Sequence, residues 1–66
     1  MYFLSEKELE VLTYVVRGFN NKEIAKMLFV TIDTVKAHIT SIFRKLNVKN
    51  RTAAAYVAIK NNLVEW

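Results

Sequence analysis

The chain has 66 residues, of which 53% are hydrophobic, and its formal net charge is +4. This length predicts one small domain over residues 1–66, with enough apolar side chains for a core of its own. The absence of cysteine excludes disulfides and cysteine-based metal sites. Because no apolar run is long enough to span a membrane and the N-terminus lacks the order of a secretory signal, we expect a cytoplasmic protein.

The first predicted element is a helix over residues 6–17. Ser5 is a favourable N-cap, and Glu8 completes a capping box with it. Leu4 can pack on Leu9 as a hydrophobic staple, and Gly18 stands where a left-handed residue ends a helix. The predicted apolar face contains Leu9, Leu12 and Val16, widened by Val11 and Val15.

The second predicted helix covers residues 21–28 and begins with the same pattern. Asn20 is the N-cap, Glu23 is its capping-box partner, and Phe19 can pack on Ile24 as a staple. Helical periodicity turns three apolar side chains inward together, namely Ile24, Ala25 and Leu28.

The third predicted helix covers residues 32–46, with Thr31 as its N-cap and Asp33 complementing the helix dipole. Val30 is expected to pack on Val35 as a third staple. We expect the helix to end at Asn47 in a left-handed turn, after which Val48 returns to Phe43. Its predicted buried residues are Val35, Ile39, Ile42, Phe43 and Leu46.

The fourth predicted helix covers residues 51–61, from N-cap Asn50 to a left-handed stop at Asn62. Ala54 and Ala58 share one face and are the expected core residues. A second face carries Tyr56, Val57 and Lys60, which indicates either a modest two-fold interface or simply a lone exposed tyrosine. With no proline, one glycine and no alternating pattern, the prediction is a compact all-α four-helix domain with a central helix-turn-helix.

Basic residues are concentrated in the middle of the chain. Residues 17–51 hold eight basic and two acidic side chains, a net charge of +6, whereas residues 1–16 carry −2 and the remainder is neutral. A basic segment between non-basic ends suggests a surface that faces a polyanion, although lysines also solvate the exterior of any small domain.

The third helix presents a strip opposite its predicted core, at positions 33, 36, 37, 40 and 44. Lys36 can reach guanine acceptors, Ala37 can contact a thymine methyl, and the Thr40 hydroxyl can donate or accept. An ordinary solvated face mixes both charge signs, but after Asp33 no acid occurs before Asn62. This asymmetry favours DNA contact over simple solvation.

The segments LSEKELEVL, NNKEIAKML, TVKAHI, KLNVKNRT and NNLV, at their spacing, resemble the LuxR/FixJ/GerE-type (NarL-like) helix-turn-helix. That family forms the output domain of many bacterial response regulators and other transcription regulators, and the resemblance extends from Leu4 to Val64. It implies a four-helix fold in which the third helix reads DNA and the fourth commonly supplies a dimer contact. Asn47 and Asn62 replace glycines common in the family, a tolerable change because asparagine adopts the left-handed conformation easily.

The resemblance also implies roles for individual residues. The implied base readers are Lys36, Ala37 and Thr40, and the implied phosphate contacts are Thr34, His38, Lys45, Lys49 and Arg51. The implied partners are double-stranded DNA in the nucleoid, a second copy of the chain, and RNA polymerase. Neither a cofactor nor a metal is expected.

Two other classes of function have less support in the sequence. A protein-binding adaptor or anti-regulator would need an exposed apolar patch, for which the sequence offers only Tyr56–Val57 and Trp66. A sigma-factor region-four domain has a similar first half but a less similar third helix. An enzyme lacks the residues: His38 is the only histidine, and Glu6 and Glu10 are better explained as a solvated face.

Overall fold

A computed structural model describes residues 3–66, which form four helices and no strand: α1 (Glu6–Val16), α2 (Asn21–Leu28), α3 (Ile32–Leu46) and α4 (Arg51–Lys60). The predicted all-α class is confirmed, with α1 and α4 each ending one residue early. The first two residues of the predicted domain lie outside this description. Of the helices described, none combines the length and apolar character needed to cross a bilayer.

Every helix begins with the side-chain cap expected from the sequence. The side chains of Ser5, Asn20, Thr31 and Asn50 each accept a hydrogen bond from the N–H three residues later. Both predicted capping boxes are complete, because the Glu8 and Glu23 carboxylates also accept from the N–H of the cap residue at 2.8 Å. Local side-chain chemistry therefore sets where each helix starts.

All four helices also end in the same way. A left-handed residue follows each one, at Gly18 (φ 90°), Phe29 (φ 58°), Asn47 (φ 57°) and Asn62 (φ 53°). The next N–H then donates to the carbonyl five residues back, at 2.9–3.0 Å, which is the Schellman motif. Three of these stops were predicted from glycine or asparagine, but the stop at Phe29 was not.

The core lies where α3 crosses the other three helices, all of which contact it. Its buried side chains are Val11, Leu12, Val15, Ile24, Ala25, Val35, Ile39, Ile42, Leu46, Ala54 and Ala58. The two predicted core alanines of α4 are fully buried, and their small size lets α4 approach its neighbours closely. Four expected core residues are only half-buried: Leu9, Val16, Leu28 and Phe43.

The predicted staples differ in their burial. Leu4 and Phe19 are partly buried and pack against the core. Val30, expected to pack on Val35, remains 37% exposed. The entry into α3 is therefore held less by apolar packing than by the Thr31 cap.

Candidate nucleic-acid interface

The residues predicted from the sequence to read bases lie on the outward side of α3. Lys36, Ala37 and Thr40 are all exposed, while Val35, just before them, and Ile39, within the strip, are buried. Helical geometry turns successive residues by about 100°, so burial at positions 35, 39, 42 and 46 aims the strip away from the core. The described fold thus leaves this strip accessible, and contact with bases stays a prediction.

Thr34, a predicted phosphate contact, lies in the first turn of α3 and is half-buried. Its N–H donates to the Thr31 hydroxyl at 3.1 Å, and the two hydroxyls are 2.9 Å apart. A helix N-terminus favours anions through its dipole and its N–H groups. The predicted role of Thr34 is therefore compatible with its position.

Lys45, another predicted phosphate contact, already has an anionic partner within the domain. Its Nζ lies 2.7 Å from Oε1 of Glu8 on α1, and Ser41 donates a hydrogen bond to Oε2 of the same carboxylate. The sequence suggested only a phosphate contact for Lys45 and only a capping role for Glu8. The cluster was missed because the partners are 33 and 37 residues apart.

Glu8 has an unusual environment for a carboxylate, being only 5% exposed. Burial by itself raises the pKa of Glu8, but hydrogen bonds from Lys45, Ser41 and the Ser5 N–H, together with the lysine charge, outweigh that effect. The net result lowers the pKa of Glu8 to about 2. The group is therefore a carboxylate at neutral pH.

Arg51, the first residue of α4, joins the start of that helix to the start of α2. Its guanidinium donates to Oδ1 of Asn21 at 2.7 Å and to the carbonyl of Phe19 at 2.9 Å. An open cleft lies beside it, lined by Asn20, Asn21, Lys22, Ile32 and Arg51. The N-termini of α2, α3 and α4 thus meet at a cleft that contains two cationic residues, Lys22 and Arg51. The positive ends of the helix dipoles add to the attraction of this cleft for anions. The sequence did not reveal this convergence, since it depends on helix packing.

The remaining predicted phosphate contacts are His38 and Lys49. His38 is half-buried on α3, and Lys49 is exposed in the turn between α3 and α4. Neither residue forms an ion pair with an acidic side chain in the described part of the chain.

The proposed dimer face on α4 is only partly free. Tyr56 is 62% exposed, and Nζ of Lys60 lies 5.6 Å from its ring centroid, a cation–π arrangement. Val57 is half-buried and packs against the core of its own chain. The three residues remain a predicted interface, in which Tyr56 and Lys60 offer most of the accessible surface.

Apolar exposure extends further than the sequence indicated. Besides Tyr56 and Trp66, large apolar side chains are exposed around the α2–α3 turn, at Met27, Phe29, Val30 and Ile32. Phe29 is 94% exposed. Trp66 is 72% exposed, so the terminal indole does not fold into the core.

Comparison with known proteins identifies the family. Residues 3–58 match the family described as bacterial regulatory proteins, luxR family. The transcriptional regulatory protein LiaR of Bacillus subtilis is 52% identical over 61 residues, covering 92% of this chain and 29% of LiaR. The oxygen regulatory protein NreC of Staphylococcus carnosus is 44% identical over 63 residues, covering 96% of this chain and 29% of NreC.

Solved structures agree with this assignment. The response regulator ChrA of a heme-sensing two-component system superposes with a TM-score of 0.91 at 39% identity, over 97% of this chain and 32% of ChrA. The transcription factor GerE superposes with a TM-score of 0.86 at 27% identity, over 94% of this chain and 92% of GerE. The chain spans about three tenths of the curated relatives it matches. It belongs to the LuxR family of bacterial regulatory proteins and is a DNA-binding helix-turn-helix domain of transcription regulation.

Proposed function

We propose that α3 enters the major groove of a specific DNA site and that Lys36, Ala37 and Thr40 contact base edges there. The observation that carries this proposal is the exposed strip of α3, which has small residues beside a long cation. No acidic side chain follows Asp33 on this helix. Such a surface lets the helix backbone lie deep in the groove, where each base pair presents a distinct set of donors and acceptors.

Phosphate contacts on either side of the groove would hold α3 in register. Lys49, His38 and Thr34 are accessible for this role to different degrees. Arg51 uses two of its five N–H donors inside the domain and retains others for a phosphate. Lys22, on the rim of the same cleft, is added to the set that the sequence suggested.

We further propose that the domain acts as a homodimer on two half-sites, with Tyr56, Val57 and Lys60 at the interface. Two-fold related reading helices would then lie about 34 Å apart, one turn of B-DNA. RNA polymerase is the proposed partner in regulating transcription. The site of action would be the nucleoid, within the bacterial cytoplasm.

The two rival classes of function have less support. The family and its relatives are DNA-binding transcription regulators, not enzymes, and we propose no catalytic activity for this chain. A protein-binding adaptor is not favoured, because the family match and the basic α3 surface both indicate DNA. The apolar side chains exposed near Phe29 do not change this ranking, since Lys36, Ala37 and Thr40 remain exposed as well.

The decisive experiment selects bound sequences from a random duplex pool and then titrates a selected and a random duplex. Lys36→Ala should reduce the preference for the selected duplex by about tenfold to 100-fold, the range for one good base contact. The matched control is Lys7→Ala on α1, which removes the same charge from a side chain that is 62% exposed. Equal loss of affinity on both duplexes for Lys36→Ala would refute the base-reading role.

A further inference from the structure

An acidic side chain lies buried beside a helix that should bind a polyanion. Glu8 is 5% exposed and is the only charged residue buried within residues 3–66. Its Oε1 accepts from the Ser5 N–H at 2.8 Å and from Lys45 Nζ at 2.7 Å, and its Oε2 accepts from Ser41. Capping α1 requires only the first of these bonds, so the contacts to α3 need a separate explanation.

The Glu8 contacts organise one flank of α3. Ser41 and Lys45 are one helical turn apart on that helix, and both point to α1. Arg44 Nη2 lies 3.5 Å from Ser41 Oγ, at the outer edge of the same group. One carboxylate of α1 therefore reaches the C-terminal half of the reading helix.

Burial makes the Glu8–Lys45 pair difficult to separate. The side chain of Glu8 is 7% exposed and that of Lys45 is 36% exposed. A phosphate that drew Lys45 away would leave the carboxylate buried without its cation, and an unpaired buried charge is strongly unfavourable. An exposed lysine such as Lys49 faces no comparable penalty.

We infer that Glu8 is a positioning residue for DNA binding, which keeps Lys45 out of the phosphate-contacting set and anchors the Ser41–Lys45 flank of α3 to α1. The inference rests on the proposed function, and it reverses the role that the family resemblance implied for Lys45. The exposed cations then contact the phosphates on either side of the groove, and Lys45 bonds to Glu8 within the domain. The orientation of Lys36 and Thr40 then depends on a contact that another side of α3 makes with α1.

The test measures how the affinity for a random-sequence duplex depends on salt, because each phosphate contact contributes about 0.9 to the slope of log K against log salt. Lys45→Gln should keep the wild-type slope. Glu8→Gln should steepen the slope by about 0.9, since the released lysine becomes available to a phosphate. The double variant should return to the wild-type slope, and Lys49→Gln is the positive control, expected to be shallower by about 0.9.

Glutamine at position 8 can still complete the capping box, so the variant is expected to fold, and circular dichroism verifies this before each titration. A shallower slope for Lys45→Gln, an unchanged slope for Glu8→Gln, or an increment that persists in the double variant would each overturn the inference. Failure of folded wild-type protein to bind any duplex would instead overturn the proposed function.

A second measurement uses only the wild-type chain. The side-chain carboxyl carbon of Glu8 is followed by NMR from neutral pH down to the acid limit of duplex stability, in the free protein and in the DNA complex. A pKa of Glu8 that stays depressed on DNA shows that Lys45 remains in place. A rise toward the ordinary value shows that Lys45 has left for a phosphate, which contradicts the inference.

Discussion

Phe29 occupies a position that its side chain does not suit. The three other left-handed helix stops carry Gly18, Asn47 and Asn62, residues that adopt positive φ with little strain. A bulky residue at φ 58° is strained, and at 94% exposure its ring adds almost nothing to the core. Phe29 is therefore a local departure from the rule that ends the other helices.

Replacing Phe29 by asparagine should raise the free energy of unfolding by about 1 kcal/mol, because asparagine tolerates the left-handed region. Urea denaturation measures the change. The matched control is Phe3→Asn, which also removes an exposed phenylalanine, 77% exposed, but not one with positive φ, and it should have little effect. A loss of stability in Phe29→Asn would show that the ring makes a stabilising contact.

Glu8 should make stability depend on pH in the acid range. Its folded-state pKa of about 2 lies below the ordinary value of 4.5, so its contribution is present above about pH 4.5 and is lost as the pH falls toward 2. The free energy of unfolding should decline over that window in the wild type. The free energy of unfolding of the Glu8→Gln variant should decline less steeply, because the amide does not titrate. Parallel curves from urea titrations at each pH would contradict this assignment.

At the scale of the element, helix starts were predictable because a cap is a local interaction. Each cap side chain accepts a hydrogen bond from an N–H only three residues away, at Ser5, Asn20, Thr31 and Asn50. The four helix starts could therefore be predicted from short stretches of sequence. The stop at Phe29 could not, since neither glycine nor asparagine marks it.

The candidate site was predictable to a similar extent. Helical periodicity placed Lys36, Ala37 and Thr40 on the exposed side of α3 correctly. The ion pair between Glu8 and Lys45 joins residues 37 positions apart and depends on how α1 packs on α3. Helical periodicity does not specify that packing. The cleft at Arg51 could not be predicted either, because it forms only where the N-termini of three helices pack together.

The packing of α4 depends on small residues. Ala58 is fully buried, so Ala58→Leu should lower the free energy of unfolding by about 1–3 kcal/mol through overpacking. Ala37→Leu makes the same change on the exposed side of α3 and should alter stability by less than about 0.5 kcal/mol. Similar losses in the two variants, measured by urea denaturation, would show that α4 does not pack closely through its alanines.

At the scale of the whole molecule, acidic and basic side chains are concentrated in different parts of the chain. Glu6 and Glu10 lie on α1, whose inner side contacts α3, while every basic side chain except Lys7 follows α1 in the chain. The α4 face with Tyr56 and Lys60 bears no acid, and its exposed ring is small for a stable interface. We therefore expect dimer formation to be weak in solution and to be strengthened when two copies bind adjacent half-sites.

A weak dimer contact on α4 should affect the affinity for a paired site but not the affinity for a single half-site. Tyr56→Ala should leave binding to a single half-site unchanged and weaken binding to a paired site about tenfold or more, because the effective concentration of the second copy falls. Tyr56→Phe keeps the ring beside Lys60 and is the matched control. Inserting about half a helical turn between the half-sites should reduce wild-type affinity toward that of Tyr56→Ala, since the two copies would then face different sides of the duplex. If the insertion weakens the wild type while Tyr56→Ala binds the paired site normally, the dimer contact lies elsewhere than on α4.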